Sequence, residues 1–226
     1  MALFKMGMFM TDLSGAIGGL VASRTRGGSA IRRKGIPTNP QTTFQQYVRS
    51  LLTSLSQQWR SLTQDQISAW NSAVQNFQRT NRLGELKSPT GKNLFVAFNT
   101  NLLNSGAAII LDPPLPAEQF IIDGLTLTVD TATPEFTVAA ATNGTVTDYL
   151  HVWVTPMLSA GVSNPNGQYR FLGSFAGAAV FSQDVLVDYT ARFGAPIVGQ
   201  KVFVKLVPVT PTGQAGVGQV VSAIVV

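Results

Sequence analysis

Five cations crowd into eleven residues near the start of the chain: Arg24, Arg26, Arg32, Arg33 and Lys34, set among Gly and Ser. On so short a segment they can neutralise several nucleic-acid phosphates, with an affinity that falls steeply as salt rises. The same groups can pair with carboxylates on a neighbouring subunit. A merely solvated basic stretch is the plain alternative. No aromatic side chain is interleaved with the cations, so stacking on single-stranded bases has no support.

Elsewhere the residues offer little chemistry. Zero Cys removes thiolate metal sites, disulfides and thiol catalysis, and a single His, His151, removes any multi-histidine centre. His151 alternates with Tyr149 and Trp153 on one strand face, which favours a hydrogen-bonded structural imidazole over a general base. Gly91-Lys92 fails as a phosphate loop because Asn93 follows where Ser or Thr must hold the metal. Asp184 and Asp188 read as same-side residues of one strand, a solvated face without a third ligand. Asn143-Gly144-Thr145 fits a glycosylation sequon, but Asn-Gly between two strands is also a leading hairpin turn, and the turn is preferred. The sequence therefore assigns no catalytic residue, cofactor or metal ligand, and an enzyme is the least favoured class.

Composition points toward partners. Charged residues are 12% of the 226, hydrophobic residues 45%, and mean hydropathy is +0.19. Such a surface lacks the self-repulsion that keeps isolated proteins apart, so other copies or partners are expected to cover it. The net charge of +5 is unevenly spread: residues 1–115 carry +8 and residues 116–226 carry −3. That asymmetry suits an anionic partner for the first half, or a head-to-tail contact between subunits. No run of about 18 uncharged apolar residues marks a membrane span, and the start has too short an apolar core for a secretion signal.

The elements that must position these groups follow from spacing. Seven Gly in the first forty residues leave few side chains for a core. Residues 19–35 read as a basic hairpin around Gly27-Gly28, with a disordered basic tail as the alternative. Asn39-Pro40 reads as a helix start. Phe44, Tyr47, Val48, Leu51, Leu52, Leu55, Trp59 and Leu62 then form one apolar stripe that needs a partner to pack against. Thr63 to Gln66 reads as a capping box for a second helix bearing Ile67, Trp70, Val74 and Phe77. Ser88-Pro89 opens a third helix that Gly106 stops. Asp112-Pro113-Pro114-Leu115-Pro116 is a stiff connector. Beyond it the period changes to two, and seven β-rich runs separated by turn residues fit an immunoglobulin-like or fibronectin type III-like sandwich, with Tyr149 and Trp153 helping to fill its core. The expected fold class is α+β. Its parts are an extended arm with a basic hairpin (1–40), a helical region (41–111), a Pro-rich linker (112–118) and an antiparallel sandwich (119–226).

Residues 14–71, from SGAIGGLVASRTRGG through the Asn-Pro-Gln-Thr helix start to LTQDQISAWN, carry a family likeness. The stretch resembles uncharacterised small proteins encoded by bacteriophages and prophages, with a Gly-rich basic start and an Ig-like C-terminal domain. The resemblance supplies no active site. It implies a virion structural protein (capsid-associated, connector or tail), made in the bacterial host cytoplasm and resident in the particle. Expected partners are other virion proteins and copies of itself, and packaged DNA through the basic arm, with no membrane and no small-molecule substrate. Arg24, Arg26, Arg32, Arg33 and Lys34 are the expected partner or nucleic-acid contacts. Phe44, Tyr47, Leu51, Leu55, Trp59 and Trp70 are the expected packing and assembly residues. Two other classes compete: a nucleic-acid-binding module using the basic arm, and an adhesin-like or carbohydrate-binding sandwich, for which the exposed loop aromatics are missing.

Overall fold

Glycine decides the first turn of the chain. Gly18 takes φ +55°, a conformation costly for a residue with a Cβ, and with Gly19 it closes a two-residue turn between strands β2 (Gly15–Ile17) and β3 (Leu20–Thr25). The computed structural model describes residues 2–4, 13–25, 28–36, 38–81, 83–118, 121–132, 135–165 and 167–226. Strand β3 pairs antiparallel with β4 (Gly28–Arg33), closing on the Thr25–Gly28 pair, and β1 (Ala2–Phe4) adds to the far side of β4. The order β1-β4-β3-β2 makes a four-stranded sheet where a two-stranded hairpin was expected. Added strands relieve the marginal stability of a lone ribbon.

Helix α1 (Thr43–Ser61) begins later than Asn39-Pro40 implies. Thr42 is its cap, its hydroxyl accepting the Gln45 N–H, while the Asn39 side-chain oxygen accepts from Arg49 Nη2 at 2.8 Å. Gln41, at φ +49°, turns the chain just before the cap. Helix α2 (Gln64–Ala73) starts with the expected capping box: Gln66 N–H donates to Thr63 Oγ1, and Gln66 Oε1 accepts the Thr63 N–H. Thr63→Ala should cost about 1 kcal/mol, read as an earlier urea midpoint for the helical transition. An unchanged midpoint would show that the cap contributes nothing.

A short ribbon of β5 (Arg79–Thr80) and β6 (Leu86–Lys87) precedes α3 (Gly91–Asn104), whose cap is Thr90, two residues past the expected Ser88. Trp70 is fully buried, and Phe95 of α3 meets Trp59 at 5.5 Å and Trp70 edge-on at 5.4 Å between ring centroids. These rings, with Leu55, Leu62, Val74 and Leu94, form the apolar centre of the helices. The chain divides into two compact units, Met1–Val96 and Ala97–Val226, so the division falls inside α3, upstream of the Pro-rich stretch.

Among the described residues the second unit contains seven strands and one further helix: β7 (Ile122–Asp130), β8 (Glu135–Thr142), β9 (Tyr149–Val154), β10 (Arg170–Ala176), β11 (Val180–Asp184), α4 (Leu186–Phe193), β12 (Lys201–Val209) and β13 (Gln219–Ile224). All pairings are antiparallel, in two sheets ordered β10-β9-β12-β13 and β11-β8-β7. The sheets share one core, to which β7, β8 and β11 bring Ile122, Val129, Phe136, Val138 and Phe181, while β9 and β12 bring Leu150, Val152, Val154, Val202, Val204 and Leu206. With helices and antiparallel sheets in one chain, the fold class is α+β. Edge strands β7 and β13 are tied at both ends: Gln219 Nε2 donates to the Ile122 carbonyl, and Val226 N–H to the Val129 carbonyl at 3.2 Å.

Three sequence expectations are corrected here. Tyr149 and Trp153 lie on the face of β9 opposite the shared core, which takes Leu150, Val152 and Val154 instead. Residues 180–189 are not one strand. The Asp184 carboxylate accepts the N–H groups of Phe136 and Leu186, ending β11 and starting α4, so Asp184 and Asp188 sit on different elements. Asn143-Gly144 is not a hairpin turn, because β8 and β9 belong to different sheets; the Asn143 side chain accepts the Ile121 N–H at 2.6 Å.

Candidate assembly surfaces

The basic residues are carried by β3, β4 and the segment after them. Cross-strand register places Arg33 opposite Leu20 and Arg32 opposite Val21, and since neighbours along a strand face opposite ways, the two guanidinium groups leave the sheet on opposite faces. Arg24 stands opposite Ser29, on the same face as Arg33 but near the other end of the hairpin. Arg26 lies outside the described residues. The Lys34 N–H donates to the Gly19 carbonyl at 2.8 Å, holding the end of β4 against the Gly turn. Arg32, Arg33 and Lys34 then line an open cleft of about 320 Å³ with Val21, Gly35 and Ile36. No ion pair joins these three cations to an acid among the described residues. The structure thus sets Arg32, Arg33 and Lys34 at one end of β4, with the two guanidinium groups on opposite faces of the sheet, and Arg24 near the other end of the hairpin.

The stripe of α1 behaves in two ways. Toward its C-terminus Leu55 is 2% exposed and Trp59 half-buried against Phe95. Toward its N-terminus Tyr47, Val48 and Leu52 are 42%, 45% and 53% exposed, with Phe44 and Leu51 half-buried. Phe44 and Tyr47 meet at 6.4 Å between ring centroids. Among the expected packing residues, Leu55, Trp59 and Trp70 serve the interior of the first unit, while Tyr47, paired with Phe44, keeps part of its surface exposed, as do Val48 and Leu52.

In the second unit, sequence reasoning missed the partners of the one histidine. His151 Nε2 is 2.8 Å from the Ser105 hydroxyl, which lies just beyond α3 and also engages Ser174 at 3.1 Å and the Asn101 carbonyl at 3.0 Å. The Phe171 ring stands edge-on to the imidazole at 5.3 Å. Burial pushes the ring down to about pKa 4. A Ser hydroxyl against a His nitrogen is also the geometry of a nucleophile and its base. Here the ring is 2% exposed and the hydroxyl is already engaged by two other groups, so the pair reads as a structural bond holding the end of α3 on the sheet. That partner could not have been read from the sequence, since Ser105 is 46 residues away.

The Pro-rich stretch is fastened as well. Gln214, 4% exposed, accepts the Ala117 N–H at 3.0 Å and donates to the Leu115 carbonyl at 2.7 Å. Among the described residues no three His, Cys, Asp or Glu stand close enough to hold a metal, and no helix is long and apolar enough to cross a membrane. Comparison with protein families, with curated proteins and with solved structures returns no match.

Proposed function

We propose that the chain is a structural component of a bacteriophage virion, joined to neighbouring subunits through its N-terminal segment and helices. The single observation that carries this reading is the open apolar face of α1, where Val48 and Leu52 are 45% and 53% exposed on a helix whose apolar stripe needs a partner. The cleft lined by Arg32, Arg33 and Lys34, with Val21, Gly35 and Ile36 as its other described lining, belongs to the same unit. The phage setting comes from the resemblance carried by residues 14–71. A low-charge surface suits a molecule that spends its working life among copies and partners.

We further propose that the seven strands form an Ig-like sandwich of fibronectin type III type. Lettered A to G in chain order, they group as A, B, E and D, C, F, G. An immunoglobulin constant-type domain keeps the fourth strand with A, B and E. Moving that strand to the other sheet is what favours the fibronectin-like reading.

Sedimentation of the full chain beside a Val48→Asp, Leu52→Asp variant tests the anchoring role. The parent should associate with increasing concentration, and the variant should stay monomeric while keeping the parent's circular dichroism. Compact monomers in both cases would sink the reading. A second reading, nucleic-acid binding, is favoured by the run of three cations at the end of β4. If it holds, the full chain retains DNA, and replacing Arg32, Arg33 and Lys34 with Gln lowers the slope of log affinity against log salt by roughly 3.

A further inference from the structure

The short ribbon of the first unit sets two cations against each other. Strand β5 pairs with β6 through Arg79 opposite Lys87 and Thr80 opposite Leu86. Residues directly opposite share a face, and like charges placed so are destabilising. The turn between the strands enforces the register. Asn81 Oδ1 accepts the N–H groups of Leu83 and Glu85 at 2.8 and 3.0 Å, the Asn81 N–H donates to the Glu85 carbonyl at 2.9 Å, and Gly84 takes φ +79°. Lys87 has partial relief: its Nζ is 3.7 Å from Glu85 Oε2, beyond hydrogen-bond reach, and that oxygen also accepts from Asn81 Nδ2 at 3.2 Å. Arg79 is exposed, and among the described residues its guanidinium has neither an acid nor a hydrogen-bond acceptor.

Both cations line an open cleft of about 290 Å³, together with Asn81, Ser88 and Asn93; Thr80 and Pro89 complete its described lining. The Asn81 side chain is already used by the turn. Among the described residues the Ser88 hydroxyl and the Asn93 amide make no hydrogen bond. Asn93 belongs to the first turn of α3, but the backbone there is capped: its N–H donates to Thr90 Oγ1 at 3.1 Å, and that of Leu94 to the Thr90 carbonyl at 3.0 Å. Side chains, and not the helix end, therefore supply the donors of this cleft. They come from three segments: Arg79 from β5, Lys87 and Ser88 from β6 and the residue after it, and Asn93 from α3.

We propose that this cleft binds a phosphate group, with Arg79 gripping it through two guanidinium N–H groups, Lys87 as a second charge, and Ser88 and Asn93 donating to its remaining oxygens. Donors on three segments suit a tetrahedral group whose oxygens point several ways, whereas a carboxylate offers two oxygens in one plane. The cleft also has room for part of the group to which the phosphate is esterified. An anion between Arg79 and Lys87 offsets their repulsion, so the ligand steadies the ribbon that holds it. The site uses none of the basic residues at the end of β4, and it stands whether or not the chain is a virion component.

An NMR titration of the full chain with sodium phosphate at low ionic strength tests it. Backbone amide shifts should concentrate at Arg79, Thr80, Lys87, Ser88 and Asn93, and sodium chloride of equal ionic strength should not produce them. Arg79→Gln should weaken phosphate binding about tenfold, the loss of one hydrogen bond to a charged group. Arg79→Lys keeps the charge without the fork and should fall between parent and Gln variant. Glu85→Gln removes a nearby negative charge and should tighten binding. If Arg79→Gln disturbs the ribbon before phosphate is added, Lys87→Gln reads the same site from the other strand and must weaken binding too. A second arm separates the sources of the phosphate. For a free phosphomonoester, glycerol phosphate moves the same amides, and Arg79→Gln leaves the affinity for a short DNA duplex unchanged. For a nucleic-acid phosphate, the duplex moves those amides and Arg79→Gln weakens it. Either result supports the site. Phosphate shifts confined to Arg32, Arg33 and Lys34, equal shifts with chloride, or equal phosphate binding by parent, Arg79→Gln and Lys87→Gln would overturn it.

Discussion

Tyr189→Ala is expected to cost about 3–5 kcal/mol of the second unit's stability, the range for removing a large buried aromatic side chain. Tyr189 is fully buried in the core shared by the two sheets, although it comes from α4 and not from a strand. Its ring stacks on Phe136 of β8 at 4.7 Å and meets Phe193 at 5.0 Å. Its hydroxyl donates to the Thr155 carbonyl at 3.2 Å, at the end of β9. One side chain thus touches both sheets, and its loss leaves a cavity that neither can fill alone. Tyr189→Phe separates packing from the hydrogen bond. It keeps the ring and should cost only about 1 kcal/mol, the net worth of one hydrogen bond. Urea unfolding of the two variants checks this. Equal losses in both would mean that the hydroxyl, and not the ring, holds the sheets together.

The same residue shows where sequence reasoning stops. Val, Leu and Tyr after Asp184 carry β propensity, and a local reading extends the strand through them. What ends the strand is not local: the Asp184 carboxylate is engaged by the N–H of Phe136, 48 residues away, and by that of Leu186. By contrast, runs such as Lys201–Val209 and Ile122–Asp130 were legible, because alternation bounded by turn residues is a property of the run itself. Alternation also fails to say which face of a strand is inside when both are covered. In β9 the core takes Leu150, Val152 and Val154, while Ser105 covers His151 on the other side, so both phases look apolar. The basic residues of the candidate site were readable from composition. Their placement was not: cross-strand register sends Arg32 and Arg33 to opposite faces of the sheet, and the Gly19 carbonyl holds the Lys34 N–H.

Between about pH 6.5 and pH 4 the second unit should lose about 3 kcal/mol of stability through His151 alone, as burial lowers the ring from 6.5 to about 4 and each unit is worth about 1.36 kcal/mol. The sign follows from proton uptake. An unfolded chain protonates this ring near its ordinary value, while the folded chain resists until about pH 4, so over that window the unfolded state holds more protons. The contribution is complete above pH 6.5, declines as pH falls, and is level below about 4, where both states are protonated. Carboxylates titrate near the lower end of the window, so the effect must be read as a difference. His151→Gln keeps an amide facing Ser105 but takes no proton, and its stability curve should lack this part of the slope. Because the chain has one histidine, its imidazole signals in an NMR titration are unambiguous. Parallel stability curves for parent and variant, or a ring that titrates near 6.5 in the folded chain, would contradict a closed contact between His151, Ser105 and Ser174. A depressed ring pKa with the predicted slope would show that the end of α3 stays fastened to the sheet in solution, since water reaching the imidazole would stabilise its charged form.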